Sequence, residues 1–148
     1  MTITTPARAA SHQRVTRVRC ALAASCLAVA AAVAIPAGPA SAAVCDGVSC
    51  NGQDPNVAGC AADAITPPGG TVQDQGVKLE LRYSPSCHAN WARITPARFN
   101  WHFTVYNDNG DKQDERALRN YDSYHTNMVN GNVKAWACFD DTVCTNHA

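Results

Sequence analysis

The chain has 148 residues, with 12 Lys and Arg against 12 Asp and Glu, for a formal charge of +0. Every acid but only 8 of the Lys and Arg lie beyond residue 42, so 8 against 12 leaves that part at −4. So mild an acidity, without clustered cations, speaks against a nucleic-acid partner. Ten aromatics and six cysteines in the same stretch speak against disorder. One domain is the natural count.

Residues 1–19 carry Arg8, Arg14, Arg17 and Arg19 and no acid, and Ala21 to Ile35 is almost unbroken Ala, Leu and Val. Pro36, Gly38 and Pro39 end that run, and Ala40-Ser41-Ala42 offers small residues in an A-x-A pattern. A basic start, an apolar run and a small-residue site together read as a secretory signal peptide over 1–42. A membrane span wants about 20 apolar residues, more than this Ala-rich run supplies. Cleavage after Ala42 leaves a single domain over 43–148, secreted and with no membrane attachment after processing. Cys20 and Cys26 depart with the leader. Cys45, Cys50, Cys60, Cys87, Cys138 and Cys144 remain, an even number in an oxidising compartment, and imply three disulfides. Six cysteines allow 15 pairings. Pairing the near neighbours Cys45–Cys50 and Cys138–Cys144 leaves Cys60–Cys87, one arrangement among these. No Cys-x2-Cys knuckle suggests zinc, and neither a metal nor a cofactor is expected.

From Ala43 to Gly76 the chain is rich in Gly, Pro, Asp and Asn, and reads as irregular, with room for one helical turn around Cys60-Ala61-Ala62-Asp63-Ala64. Period-two alternation then begins: Val77, Leu79, Leu81 and Tyr83 share one face of a strand, and Lys78, Glu80 and Arg82 the other. Trp91 to Ile94 makes a second short strand. Phe99, Trp101, Phe103 and Val105 alternate with Asn100, His102, Thr104 and Tyr106 in the strongest strand pattern of the chain, which the turn cluster Asn107-Asp108-Asn109-Gly110 closes. Residues 111–120 read as a loop or a short exposed helix. Asn130-Gly131 predicts a hairpin turn between strands at Tyr124–Val129 and Val133–Phe139, because a type I′ turn needs positive φ at both central positions. The fold class is therefore all-β: a small disulfide-stabilised barrel or sandwich of about five to six short strands with an irregular N-terminal loop region.

The chemistry-bearing residues do not assemble into a reaction. Ser84 and Ser86 stand near His88, but no Gly-x-Ser-x-Gly elbow accompanies them. Asp114-Glu115 and Asp140-Asp141 are paired carboxylates without the apolar setting that raises a pKa for glycoside hydrolysis. Asp46, Asp54 and Asn56 lack the register of a calcium loop. His102, His125 and His147 stand singly. No catalytic residue is assigned, and the chain reads as not an enzyme. Aromatics are the surplus: Tyr106 shares the polar face of its strand and Trp136 the face of Lys134, which marks them as a candidate binding surface. Arg82 and Arg93, on a polar face beside Tyr83 and Trp91, read as structural together with Trp91.

Cys45-Asp46-Gly47-Val48-Ser49-Cys50-Asn51-Gly52-Gln53-Asp54-Pro55, then Gly59-Cys60-Ala61-Ala62-Asp63-Ala64, then Glu80-Leu81-Arg82-Tyr83-Ser84-Pro85-Ser86-Cys87-His88-Ala89-Asn90-Trp91-Ala92-Arg93, resemble the YjfA-like family (domain of unknown function 2690) of small secreted actinobacterial proteins, such as those of Streptomyces. Some members resemble the adaptor subunit of umbrella toxin particles, which are secreted antibacterial assemblies. The resemblance implies a non-enzymatic adaptor whose partners are other secreted proteins, a lectin-bearing subunit and a repeat-bearing toxin stalk. The alternatives are a secreted enzyme or toxin acting on cell-wall polymers, or a stand-alone binder of cell-wall glycan. The leader and the cysteine count make one prediction. The intact mass of the secreted protein should match a chain starting near Ala43 and lacking six hydrogens; a retained leader, or free thiols in the denatured protein, would contradict it.

Overall fold

The computed structural model describes residues 43–148, and the expected leader, with Cys20 and Cys26, lies outside them. Nine strands follow in order: β1 (Thr71–Asp74), β2 (Val77–Ser84), β3 (Ala89–Thr95), β4 (His102–Asn107), β5 (Lys112–Arg116), β6 (Tyr124–His125), β7 (Val129–Asn130), β8 (Ala135–Phe139) and β9 (Val143–Cys144). The first antiparallel sheet runs β1-β2-β3-β6, with β7 also paired to β3, and the second runs β5-β4-β8-β9. No α-helix occurs among the described residues; the N-terminal loop contains two 3-10 turns, Gly47–Cys50 and Cys60–Asp63. The architecture is an open sandwich, not a closed barrel.

Alternation builds the interior. Leu79 and Leu81 of β2 stand opposite Ile94 and Ala92 of β3, and meet Phe103 and Val105 of β4 and Ala137 of β8 between the sheets. Phe103, Leu79, Leu81 and Ile94 are fully buried, each contributing about 1.5–3 kcal/mol relative to exposure. The other face of the first sheet is covered as well. There Trp91, opposite Arg82, packs with Cys45, Cys50, Ala58, Cys60, Cys87 and Met128 in a second small core beneath the N-terminal loop. Trp91 is the largest side chain of this second core.

Three disulfides form: Cys45–Cys50 within the N-terminal loop, Cys138–Cys144 between the neighbouring strands β8 and β9, and Cys60–Cys87. Cys60–Cys87 spans 27 residues and fastens the loop to the β2–β3 turn; a bridge of this kind contributes about 2–4 kcal/mol, chiefly by restricting the unfolded chain.

Four expectations are corrected. Phe99 does not begin the β4 strand and is 68% exposed, because Asn100 at φ 69 turns the chain before His102. Residues 111–120 are neither loop nor helix at their start: Lys112–Arg116 pairs residue by residue with β4. Its apolar alternation is missing because an edge strand with exposed and half-buried residues needs none. The stretch to Gly76 is not wholly irregular, since β1 forms a hairpin with β2 across Gln75-Gly76, both at positive φ; this pair makes the two-residue turn. Asn130-Gly131 does not. β7 pairs with β3 and β8 with β4, so this dipeptide carries the chain from one sheet to the other. Gly131 is required there by crowding: a Cβ would lie 2.8 Å from the Ala89 nitrogen and 2.9 Å from the His88 carbonyl carbon. Gly131→Ala should accordingly cost about 1–3 kcal/mol, the scale of overpacking against a rigid neighbour. Urea unfolding with the disulfides intact measures it, and a loss below about 0.5 kcal/mol, the scale of ordinary surface substitutions, would show that the linker simply moves aside.

Candidate functional site

The second sheet turns Phe103, Val105, Ala135 and Ala137 inward, and so turns Thr104, Tyr106, Trp136 and Cys138 outward, with Tyr106 directly opposite Trp136. Beyond β9 the chain continues along β8. The Thr145 N–H donates to the Ala137 carbonyl at 2.9 Å, and Ala135 and Ala148 exchange bonds of 2.9 and 3.0 Å. That path sets His147 beside Trp136 on the side away from β4. The three rings form a row across β4, β8 and the segment that follows β9. Tyr106 stacks on Trp136 at 5.4 Å and 17°, and His147 stacks on it at 4.0 Å and 7°. Tyr106 and Trp136 are half-buried and His147 is exposed.

Polar contacts hold the row at both ends. The Tyr106 hydroxyl donates to Asp141 Oδ1 at 2.8 Å. Burial and that carboxylate acceptor push its pKa above the ordinary tyrosine value, so it remains a donor. His147 Nδ1 lies 3.6 Å from Asp108 Oδ1. With both faces of the indole covered, Trp136 presents its edge to solvent. The surface so made is a rigid aromatic ridge with acidic groups at its ends.

Arg82, Arg93 and Trp91 lie in the first sheet, away from the ridge. Arg93 reaches Glu80 Oε2 through Nε at 2.9 Å and through its terminal nitrogen at 2.7 Å, and Lys78 Nζ lies 3.4 Å from Glu80 Oε1. Arg82 donates to Thr66 Oγ1 and to the Ala64 carbonyl, both at 2.6 Å. Arg93 thus pairs with an acid of the neighbouring strand, while Arg82 holds the N-terminal loop on the sheet.

Serines 84 and 86 do not meet His88 in a hydrogen bond. The Ser84 hydroxyl donates to Asp63 at 2.6 Å and the Ser86 N–H to the same carboxylate at 2.8 Å, whereas His88 Nδ1 pairs with Asp46 at 2.7 Å. Asp54 accepts the backbone N–H groups of Asn56 and Val57 and so shapes a turn. Asp114 lies 3.7 Å from both His102 and Lys112. The sulfurs of Cys45, Cys50, Cys60 and Cys87 gather within 4.8 Å of one another, but as two disulfides they offer no thiolate to a metal.

Two features escaped the sequence reading. Phe99 and Leu118 are 68% and 74% exposed, and Tyr121 stacks on Tyr124 at 4.7 Å with Arg119 above it at 5.0 Å. Asn90 is the second. It occupies the core-facing parity of β3, in step with Ala92 and Ile94, and is 3% exposed. A polar residue at an apolar parity was the signal.

Fold and site define a small all-β sandwich with three disulfides, bearing an aromatic ridge on one outer face. The DUF2690 family, described as a protein of unknown function, matches residues 48–138, and the chain belongs to that family. Neither a curated protein nor a solved structure gives a match.

The Glu80 cluster carries a pH prediction. Burial alone would raise its pKa, but the Arg93 hydrogen bonds and the charges of Arg93 and Lys78 outweigh burial and lower it below 4.5. A carboxyl depressed on folding contributes stability in full above its unfolded value and loses it as pH falls through the folded one. Stability should therefore fall below about pH 4.5, and Glu80→Gln should lower stability at neutral pH while flattening that acid limb. Thermal unfolding across pH checks both, and an unchanged acid limb would assign it to other carboxyls.

Proposed function

We propose that this protein works by association: it is a secreted, non-enzymatic adaptor that binds other secreted proteins. The family resemblance extends the reading to a subunit of an antibacterial umbrella toxin particle, joining a lectin-bearing subunit to a toxin stalk. The observation that carries the proposal is the Tyr106–Trp136–His147 row. Interfaces draw much of their energy from a few ordered aromatic anchors, and rings already locked by stacking and a hydrogen bond lose little freedom on binding. Three disulfides agree with an extracellular setting. Because His147 and Tyr106 occupy the indole faces, the ridge suits a protein surface better than a sugar ring, which stacks on an open aromatic face. That weighs against the glycan-binding alternative.

Affinity capture of secreted proteins on the purified domain tests the reading. Trp136→Ala should weaken capture by about thirtyfold, equivalent to about 2 kcal/mol for a central anchor, with thermal unfolding followed on the same sample. Normal capture by that variant removes Trp136 as the anchor, and hydrolysis of cell-wall material by the purified protein removes the adaptor reading altogether.

A further inference from the structure

At one end of the sandwich the core gives way to a cavity of about 460 Å³ lined by Tyr83, Asn90, Pro67, Val133, Lys134 and Ala148, among others. This volume falls within the range of small-molecule sites. Tyr83 and Asn90 are direct cross-strand partners on the face that carries Leu79, Leu81, Ala92 and Ile94. Where the two strands outrun the second sheet, their last inward pair faces space instead of core. The 131–134 linker makes a wall, held against β3 by the Gly131 N–H bond to the His88 carbonyl at 2.7 Å.

Asn90 is the unusual member. It is 3% exposed, yet its side-chain amide enters no hydrogen bond among the described residues. No enclosed polar atom there lacks a partner, so the amide is not sealed in; it opens on the cavity it lines. Buried amides are almost always hydrogen-bonded, and this one is aimed at an apolar-walled space. The Tyr83 hydroxyl likewise bonds to no described residue. Lys134, exposed and in no ion pair among the described residues, stands in the same lining.

We propose that this cavity binds the end of a peptide, an apolar residue with a free carboxylate. The side-chain amide of Asn90 offers one donor face and one acceptor to a peptide group, which carries their complements. The apolar side chain lies against Pro67, Val133 and the Tyr83 ring, and the carboxylate faces the Lys134 ammonium. This deepens the association reading by naming a second contact, about a peptide terminus, away from the aromatic ridge.

The probe is N-acetyl-leucine, titrated into the ¹⁵N-labelled, disulfide-intact protein and followed by amide NMR. The expected result is a saturable shift of the Asn90 side-chain amide and of Gly131 and Lys134. N-acetyl-leucinamide should bind about threefold more weakly, the scale of one exposed ion pair, and Lys134→Ala should erase that difference. Val133→Trp, which fills the cavity from a half-buried linker position, should abolish binding while leaving a folded spectrum. Trp136→Ala should bind the probe as the parent does, so loss of the ridge and loss of the pocket are read separately. No shift at millimolar probe, an undiminished shift in Val133→Trp, or a response to N-acetylglucosamine but not to N-acetyl-leucine would each overturn the proposal.

Discussion

The Asn130-Gly131 peptide is gripped by three distant parts of the chain at once. The Asn130 N–H donates to the Asn51 side chain of the N-terminal loop, and its carbonyl accepts from Asn107 at the end of β4 at 3.0 Å. Gly131 then donates to His88 beside β3. Loop, first sheet and second sheet converge on two residues, and Asn130 is 3% exposed. In such a buried setting each of these bonds matters more by its loss than by its presence, because an orphaned amide bears its full desolvation cost. The Asn107 side chain extends the network by accepting the N–H groups of Asn109 and Asp111, which shapes the β4–β5 turn.

That junction has consequences at both candidate surfaces. By sending the chain from β7 into β8, it sets Trp136 opposite Tyr106 and lets the residues after β9 bring His147 alongside. By pressing the 131–134 linker on β3, it walls the cavity over Asn90. The ridge and the cavity therefore depend on one crossing. The remaining face of the first sheet belongs to the loop, pinned by Cys60–Cys87 and by the Arg82 contacts to Thr66 and Ala64.

The strand alternation of Val77–Tyr83 and Phe103–Tyr106 was readable because one face of each segment meets a continuous core, which imposes a period of two on the residues. It put Tyr106 on the outer face, the parity of Lys134 put Trp136 there, and the register pairs the two directly. β1 and β5 were not readable in this way. They are edge strands with little to bury, so their residues carry scant apolar pattern, and their pairing comes from neighbouring strands and turns. Asn130-Gly131 misled for a related reason: the dipeptide is compatible with a tight turn, but local preference is weak beside the backbone pairings that β7 and β8 find elsewhere.

The sequence by itself determined the class: an all-β domain with six cysteines beyond residue 42, too aromatic to be a disordered tail. These follow from composition and from periods of two, which are local properties. Tertiary structure alone decided that Trp91 sits in a core of its own, that His147 completes a row of rings, and that Asn90 opens on a cavity. Each depends on residues far apart in the chain being brought to within a few ångströms by sheet pairing, a contact that no local pattern records.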